Sequence, residues 1–368
     1  MRGQWLGKYQ GNRQGVVTVE LDDLGDHYEG MGYVYPGTPG FPAIAGRVTT
    51  VDKLDRFPLQ IKPDVIDMRT GVLVPWDSMS QRYPGVVLDP MINTSWEFNL
   101  DSNVLTINFD SVSGGPGIAH LSRSDGSRPS QRKPIASIRS WATFKEYALA
   151  LDPTRYVFRG QESNMWRLRT FFHRSGRADL FKFVNHDVNQ LHAQLSSLTA
   201  HHFNLKDDIE YAAFCSLIQH HGYPTPLLDW TRSPFIAAYF AFRNRPLVGE
   251  FARIFVLDQR EWTKDIPRSQ LVSAALPHFS FLIPVAINNP RMVPQQALST
   301  VANVDDIEAF IDFNEQAMGK TYLEVIDLPL SERPQMMQEL SLMGITAGAM
   351  FPGLDGACEQ LRERNFNI

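Results

Sequence analysis

Cysteine is scarce in this chain: Cys215 and Cys358 are the only two among 368 residues, and no CxxC pair or Cys/His cluster has zinc spacing. A zinc-held fold is thereby excluded, and both thiols are read as buried. Long apolar runs are missing too. No stretch of about eighteen apolar residues occurs, and the opening MRGQWLGKYQG lacks the apolar core of a secretory signal. The expectation is a soluble, cytoplasmic protein with no membrane partner. Nor is there an excess of positive charge: the formal net charge is -5, with 20% charged residues, so no global basic field marks the chain for nucleic acid. A local basic patch stays open. What is present in quantity is hydrophobic residue, 43% of a length that suits two domains.

Residues 1–121 read as all-β, a small barrel or sandwich. Val17, Val19 and Leu21 alternate with Thr18 and Glu20. Trp96, Phe98 and Leu100 alternate up to the turn Asp101-Ser102-Asn103, which leads into Leu105, Ile107 and Phe109 as a hairpin. Glycines at 7, 11, 15, 25, 30 and 32 punctuate the first strands. The aromatic residues Trp5, Tyr9, Tyr28, Tyr33, Tyr35 and Trp96 either fill a core or line a ligand pocket. Residues 122–134 are polar and carry Arg123, Arg128, Arg132 and Lys133 without apolar periodicity. They read as a solvated linker, with contact to a nucleic-acid backbone as the other reading.

A second domain is expected over residues 135–368. Helices are predicted at Trp141–Leu151, Ala178–Leu198, Asp207–His221, Pro334–Met343 and Leu354–Asn365, and strands at Tyr156–Phe158, Phe251–Leu257, Phe281–Ile287 and Tyr322–Ile326. The helix ending at His221 is stopped by Gly222 and Pro224, which places His220 in its last turn. Leu227 and Leu228 then form a short buried run, followed by Asp229, Thr231 and Ser233. Pro234 suits the first position of a new helix reaching Phe242. The polar trio thus sits at a helix amino end, where unpaired N–H groups favour phosphate. The structural alternative is that Thr231 or Ser233 caps the helix and Asp229 is tied into a turn. The doublets His201-His202 and His220-His221 lack companion ligands at fixed spacing, so no metal is expected.

The segment from Gln219 to Phe242, QHHGYPTPLLDWTRSPFIAAYFAF, gains meaning from Phe158-Arg159-Gly160 upstream. Together they resemble the FRG domain, a family named after that tripeptide. Its pattern falls on Gln219, His220, Gly222, Leu227, Leu228, Asp229, Thr231 and Pro234; Pro226 departs from it, standing where the family often has Arg. The resemblance continues through Trp166, Leu168 and Arg174, Asn289-Pro290-Arg291 with Gln295-Gln296, and Met350 to Gly356. It covers roughly residues 135–360 and leaves the amino-terminal part unassigned.

The resemblance implies an α+β domain of ADP-ribosyltransferase type that uses NAD as substrate. Arg159, at the end of a first core strand, would fork onto a phosphate, and Gly160 would leave room for the dinucleotide. Phe158, Gln161, Thr231, Ser233, Tyr239 and Gln296 complete the implied NAD-binding set. A carboxylate is needed where the nicotinamide–ribose bond breaks. Transferases usually place a glutamate on a late strand, where this chain has Gln295 and Gln296. The role then falls to Glu324, or to Asp229 with His220 as general base. The expected reaction is transfer of ADP-ribose to a macromolecule, nucleic acid or protein, in a toxin or phage-defence setting with an antitoxin as a further partner. NAD hydrolysis and a non-catalytic nucleotide- or partner-binding module are the alternatives.

Overall fold

The computed structural model describes residues 1–112, 115–244, 249–282 and 285–366. Ten antiparallel strands form the first sheet: β1 (Gly3–Gln10), β2 (Gln14–Asp23), β3 (Tyr28–Pro36), β4 (Ile44–Thr49), β5 (Arg56–Ile61), β6 (Asp64–Asp67), β7 (Val72–Val74), β8 (Ile92–Asn99), β9 (Val104–Ser111) and β10 (Gly115–Ser124). Their order is β5-β8-β9-β10-β1-β2-β3-β4-β6-β7. The sheet curls into a half-barrel, so that Ile61 at the end of β5 lies against Gly46 of β4. Strand alternation sends Trp5, Val17, Val19, Leu21, Trp96 and Phe98 to the inside. Asn103, at φ 52, makes the predicted hairpin turn between β8 and β9.

The opposite face of β2 and β3 is not solvated. Thr18, Glu20 and Asp22 are buried, as are Met31, Tyr33 and Tyr35, because the second half of the chain packs on them. Arg177 pairs with Asp22 at 2.5 Å, and the N–H groups of Ala178 and Asp179 donate to the same carboxylate. Gln4 reaches across as well: its amide donates to the Asn303 carbonyl and accepts from the Asp305 N–H. Burial, with Asp179 next, holds the Glu20 carboxyl well above the usual range.

The second sheet has six strands: β11 (Tyr156–Gln161), β12 (Leu227–Thr231), β13 (Phe251–Asp258), β14 (Phe279–Phe281), β15 (Ala297–Ala302) and β16 (Leu323–Pro329). Its order is β14-β15-β12-β11-β13-β16. On one face Phe158, Ile254, Val256 and Ile326 pack beneath the helices Trp141–Ala150, Pro234–Phe242 and Arg333–Leu342. On the other, Val157, Trp230, Phe255 and Val325 meet Trp262 and Ile307. A third cluster seats the Asp208–His220 helix on Leu227 and Val301. The fold is therefore mixed α+β.

Three expectations change. Residues 122–124 finish β10 rather than open a linker, and the stretch after them is clamped: Ser130 bonds Glu308, while Arg132 pairs with Asp312 and Glu315. The predicted strand at 281–287 contributes only Phe281, since β14 is Phe279–Phe281 and residues 283–284 lie outside the described ones. Cys215 is buried, but Cys358 is exposed.

Candidate functional site

β11 and β12 are neighbours that pair at a single position, Phe158 opposite Thr231. Beyond it the ladder stops, and the guanidinium of Arg159 takes over one of its roles. Arg159 Nη1 donates to the Asp229 carbonyl at 2.6 Å. Its Nε is buried with no hydrogen-bond partner among the described residues, a costly state for a charged donor unless something else completes it. Burial, followed by the nearby Arg174, lowers the Arg159 pKa to about 10, against the pull of Asp229. Arg174 is itself exposed and also feels Asp229. On its other side Asp229 pairs with Ser299 of β15, whose hydroxyl donates to the Asp229 carboxylate at 3.2 Å. Two arginines and one carboxylate thus gather where two strands part.

His220 ends its helix beside the loop that carries Asn289. Its Nδ1 lies 2.8 Å from Asn289 Oδ1, and Asn289 Nδ2 faces Ser216 Oγ at 3.4 Å. That arrangement makes Nδ1 the protonated nitrogen and leaves Nε2 as the basic one. Arg291 donates to the His220 carbonyl at 2.8 Å and stacks over Phe351, 5.4 Å from the ring centre. Gln295 donates to the Met350 carbonyl. The scattered motifs at 289–296 and 350–356 therefore meet around the His220 loop. Among the described residues no hydrogen bond joins His220 to Asp229.

The other expected residues fall into different places. Phe158 is core. Gly160 lies under the Pro234–Phe242 helix: a Cβ there would sit 1.9 Å from the Ala237 carbonyl oxygen, so the missing side chain admits a helix. Gln161 has a buried Oε1 with no hydrogen-bond partner among the described residues. Thr231 donates to the Gln295 carbonyl and accepts from the Ser233 N–H, while Ser233 caps the next helix by accepting from Ile236. Tyr239 is fully buried in the core under that helix. Gln296 is exposed at φ 47, its carbonyl accepting from Arg232. Glu324 is opposite Val256, which is opposite Phe158, whereas Arg159 aligns with Phe255 and Val325. Glu324 and Arg159 consequently emerge on opposite faces of the sheet. Ser299 was not foreseen, because the strand that carries it, rich in Ala, Ser and Thr, gives little periodic signal.

The family model for the FRG domain matches residues 154–247. No curated protein matches the chain. Among solved structures, a de novo designed fluorescence-activating β-barrel is 10% identical, covering 33% of this chain and 93% of its own at a TM-score of 0.22. A redesigned β-barrel is 11% identical over 34% of this chain and 91% of its own, with a TM-score of 0.22. Rv2717c from M. tuberculosis is 13% identical over 33% and 92%, with a TM-score of 0.19. Superpositions of this quality carry no argument about the fold. The motif residues and the family match agree on one segment, from just before β11 to just after the Pro234–Phe242 helix: residues 154–247 of this chain are an FRG domain.

Proposed function

We propose that the FRG domain binds NAD at the parting of β11 and β12 and transfers its ADP-ribose to a macromolecular acceptor. The observation that supports this reading is the buried, unpartnered Nε of Arg159 beside Arg174 and Asp229. A pyrophosphate would complete the arginine's hydrogen bonds and offset the repulsion between the two guanidiniums. Breaking the bond between nicotinamide and ribose leaves positive charge on the sugar as nicotinamide departs with the bonding electrons. Asp229, oriented by Ser299, supplies the carboxylate that stabilises that charge. His220 Nε2 accepts the proton of the incoming nucleophile. Asp229 is preferred to Glu324 because its charge is felt by both Arg159 and Arg174, whereas the charged neighbours of Glu324 are Asp258 and Glu315. By the family resemblance, a toxin or phage-defence role with a neutralising partner belongs to the same proposal.

The test is incubation of the purified chain with adenylate-labelled NAD and either mixed nucleic acids or lysate. Label on a macromolecule is the expected result, and Asp229→Asn should lower it about a hundredfold while NAD still binds. Nicotinamide released without transfer would recast the domain as a hydrolase. NAD bound with neither product would make it a recognition module. Loss of transfer in Glu324→Gln with Asp229→Asn near wild type would move the carboxylate across the sheet.

A further inference from the structure

The half-barrel is filled at one end and open inside at the other. Toward β1's start, Trp5 and Phe98 meet edge to face at 5.3 Å and occupy the interior with Leu21 and Leu105. Toward the β1–β2 turn a cavity of about 190 Å³ remains. Its walls are largely hydrocarbon and aromatic, including Tyr9, Trp96, Ile107 and Phe109. Arg13, stacked on Phe41 at 3.4 Å, and the buried Asp89 are among its few polar walls.

The volume is not a by-product of backbone needs. Val19, Gly32 and Gly46 lie side by side across β2, β3 and β4 and share the inward face. Gly46 must be glycine, because Ile61 Cγ2 occupies the place of a side chain at 2.2 Å. Gly32 is under no such demand. It has no positive φ, and a Cβ there would meet only methyl carbons of Val48 and Val19, at 3.7 and 4.0 Å, with the Gly46 carbonyl oxygen at 3.9 Å. A glycine inside a strand weakens the strand, and it marks a bulge, a bend, or the close approach of a ligand or another backbone; here no backbone atom comes nearer than the Gly46 carbonyl at 3.9 Å. Ala119, on the inward face of β10 opposite Ile107, leaves further space.

We propose that the half-barrel is a binding site for a small, flat, largely apolar molecule of one to two fused rings, seated between Gly32 and Trp96. The size follows from comparison: an apolar cavity of roughly 150 Å³ stays dry and holds benzene, and this one is somewhat larger. The chemistry follows from the walls, which offer mainly ring faces and methyl groups with a few polar groups, the usual composition of small-molecule pockets. This site is separate from Arg159 and its surroundings, so it stands or falls independently of the reading given for the FRG domain.

Calorimetric titration of the full chain with 2-naphthol and with indole tests it. One saturable site per chain is expected for at least one probe. Gly32→Val, which places methyl groups in the cavity, should weaken that binding at least about tenfold while melting is retained. Ala119→Leu fills the space from another strand and should do the same, which keeps the test decisive if either variant folds poorly. Absence of saturable binding by both probes, or undiminished binding in a folded variant of either kind, would overturn the proposal.

Discussion

Two glycines, one in each sheet, show how the same residue serves opposite ends. Gly160 in β11 is pressed by a helix: an added Cβ would fall 1.9 Å from the Ala237 carbonyl oxygen and 2.7 Å from the Ala241 nitrogen. Gly32 in β3 has only methyl and carbonyl neighbours, none nearer than 3.7 Å. At Gly160 the place of the absent side chain is taken by another element, and at Gly32 by nothing. One sheet therefore uses its glycine to seat a helix, and the other keeps room within a continuous sheet.

The comparison breaks most visibly at Gly160. Gly160→Ala forces the Pro234–Phe242 helix off the sheet, and a loss of about 4 kcal/mol is expected, at the severe end for one substitution. Urea unfolding of the full chain measures it; a loss below about 1 kcal/mol would mean that the helix slides away freely. The interface between the halves supplies the next effect. Burial, with Asp22 contributing, raises Asp179 to about 6 from its ordinary 3.8. Folded and unfolded forms are both protonated below pH 4, so this group's contribution is intact there and is lost as pH climbs from about 4 through 6, by about 3 kcal/mol. Asp179→Asn keeps the cap on Lys182 and should reduce that slope by the share of Asp179, which denaturation midpoints at pH 4.5 and 7 will reveal. A slope undiminished by the substitution would assign it to the other raised carboxyls, Glu20 and Glu308 among them.

Smaller effects sharpen the contrast. Arg159→Ala should weaken NAD by about 2 kcal/mol, the value of a charged phosphate contact, with the melting transition retained; equal affinity in titration would detach Arg159 from the ligand. Gly32→Ala should stabilise the chain by roughly 0.5–1 kcal/mol, because strand glycine costs that much. Destabilisation there would show that β3 needs the glycine after all and that the two positions are alike.

Local signals in the sequence were read well where partners lie nearby. Alternation at Val17, Val19 and Leu21 located β2, and Asp101-Ser102-Asn103 located the β8–β9 turn. Gly222 and Pro224 fixed the end of the Asp208–His220 helix. Alternation did not report the other side of the same strand: Thr18 and Glu20 are buried, and the layer that buries them comes from residues more than 150 positions later. The site shows the same limit. Arg159 and Asp229 were legible through their motifs, but Ser299 has no motif, and only register with β12 brings it to Asp229. Tyr239 misled because an aromatic residue after a polar turn looks alike in a cleft and in a core. The helix face that decides between them depends on β11 and β13, which periodicity within one helix does not report.

Gln4 spans 299 residues to reach the Asn303 carbonyl, and that distance has a meaning in time. At about 5–20 residues per second, the ribosome delivers β1 and β2 some tens of seconds before the segment that will cover them. Through that interval Gln4, Glu20 and Asp22 lie on the outer face of strands whose apolar sides can already pack together. Polar side chains are the ones that can wait in water without inviting other chains to stick. Glu20 and Asp22 become a desolvated seam when residues 177–180 arrive and Gln4 only when residues 303–305 do, so their chemistry serves a nascent chain first and a finished interface second.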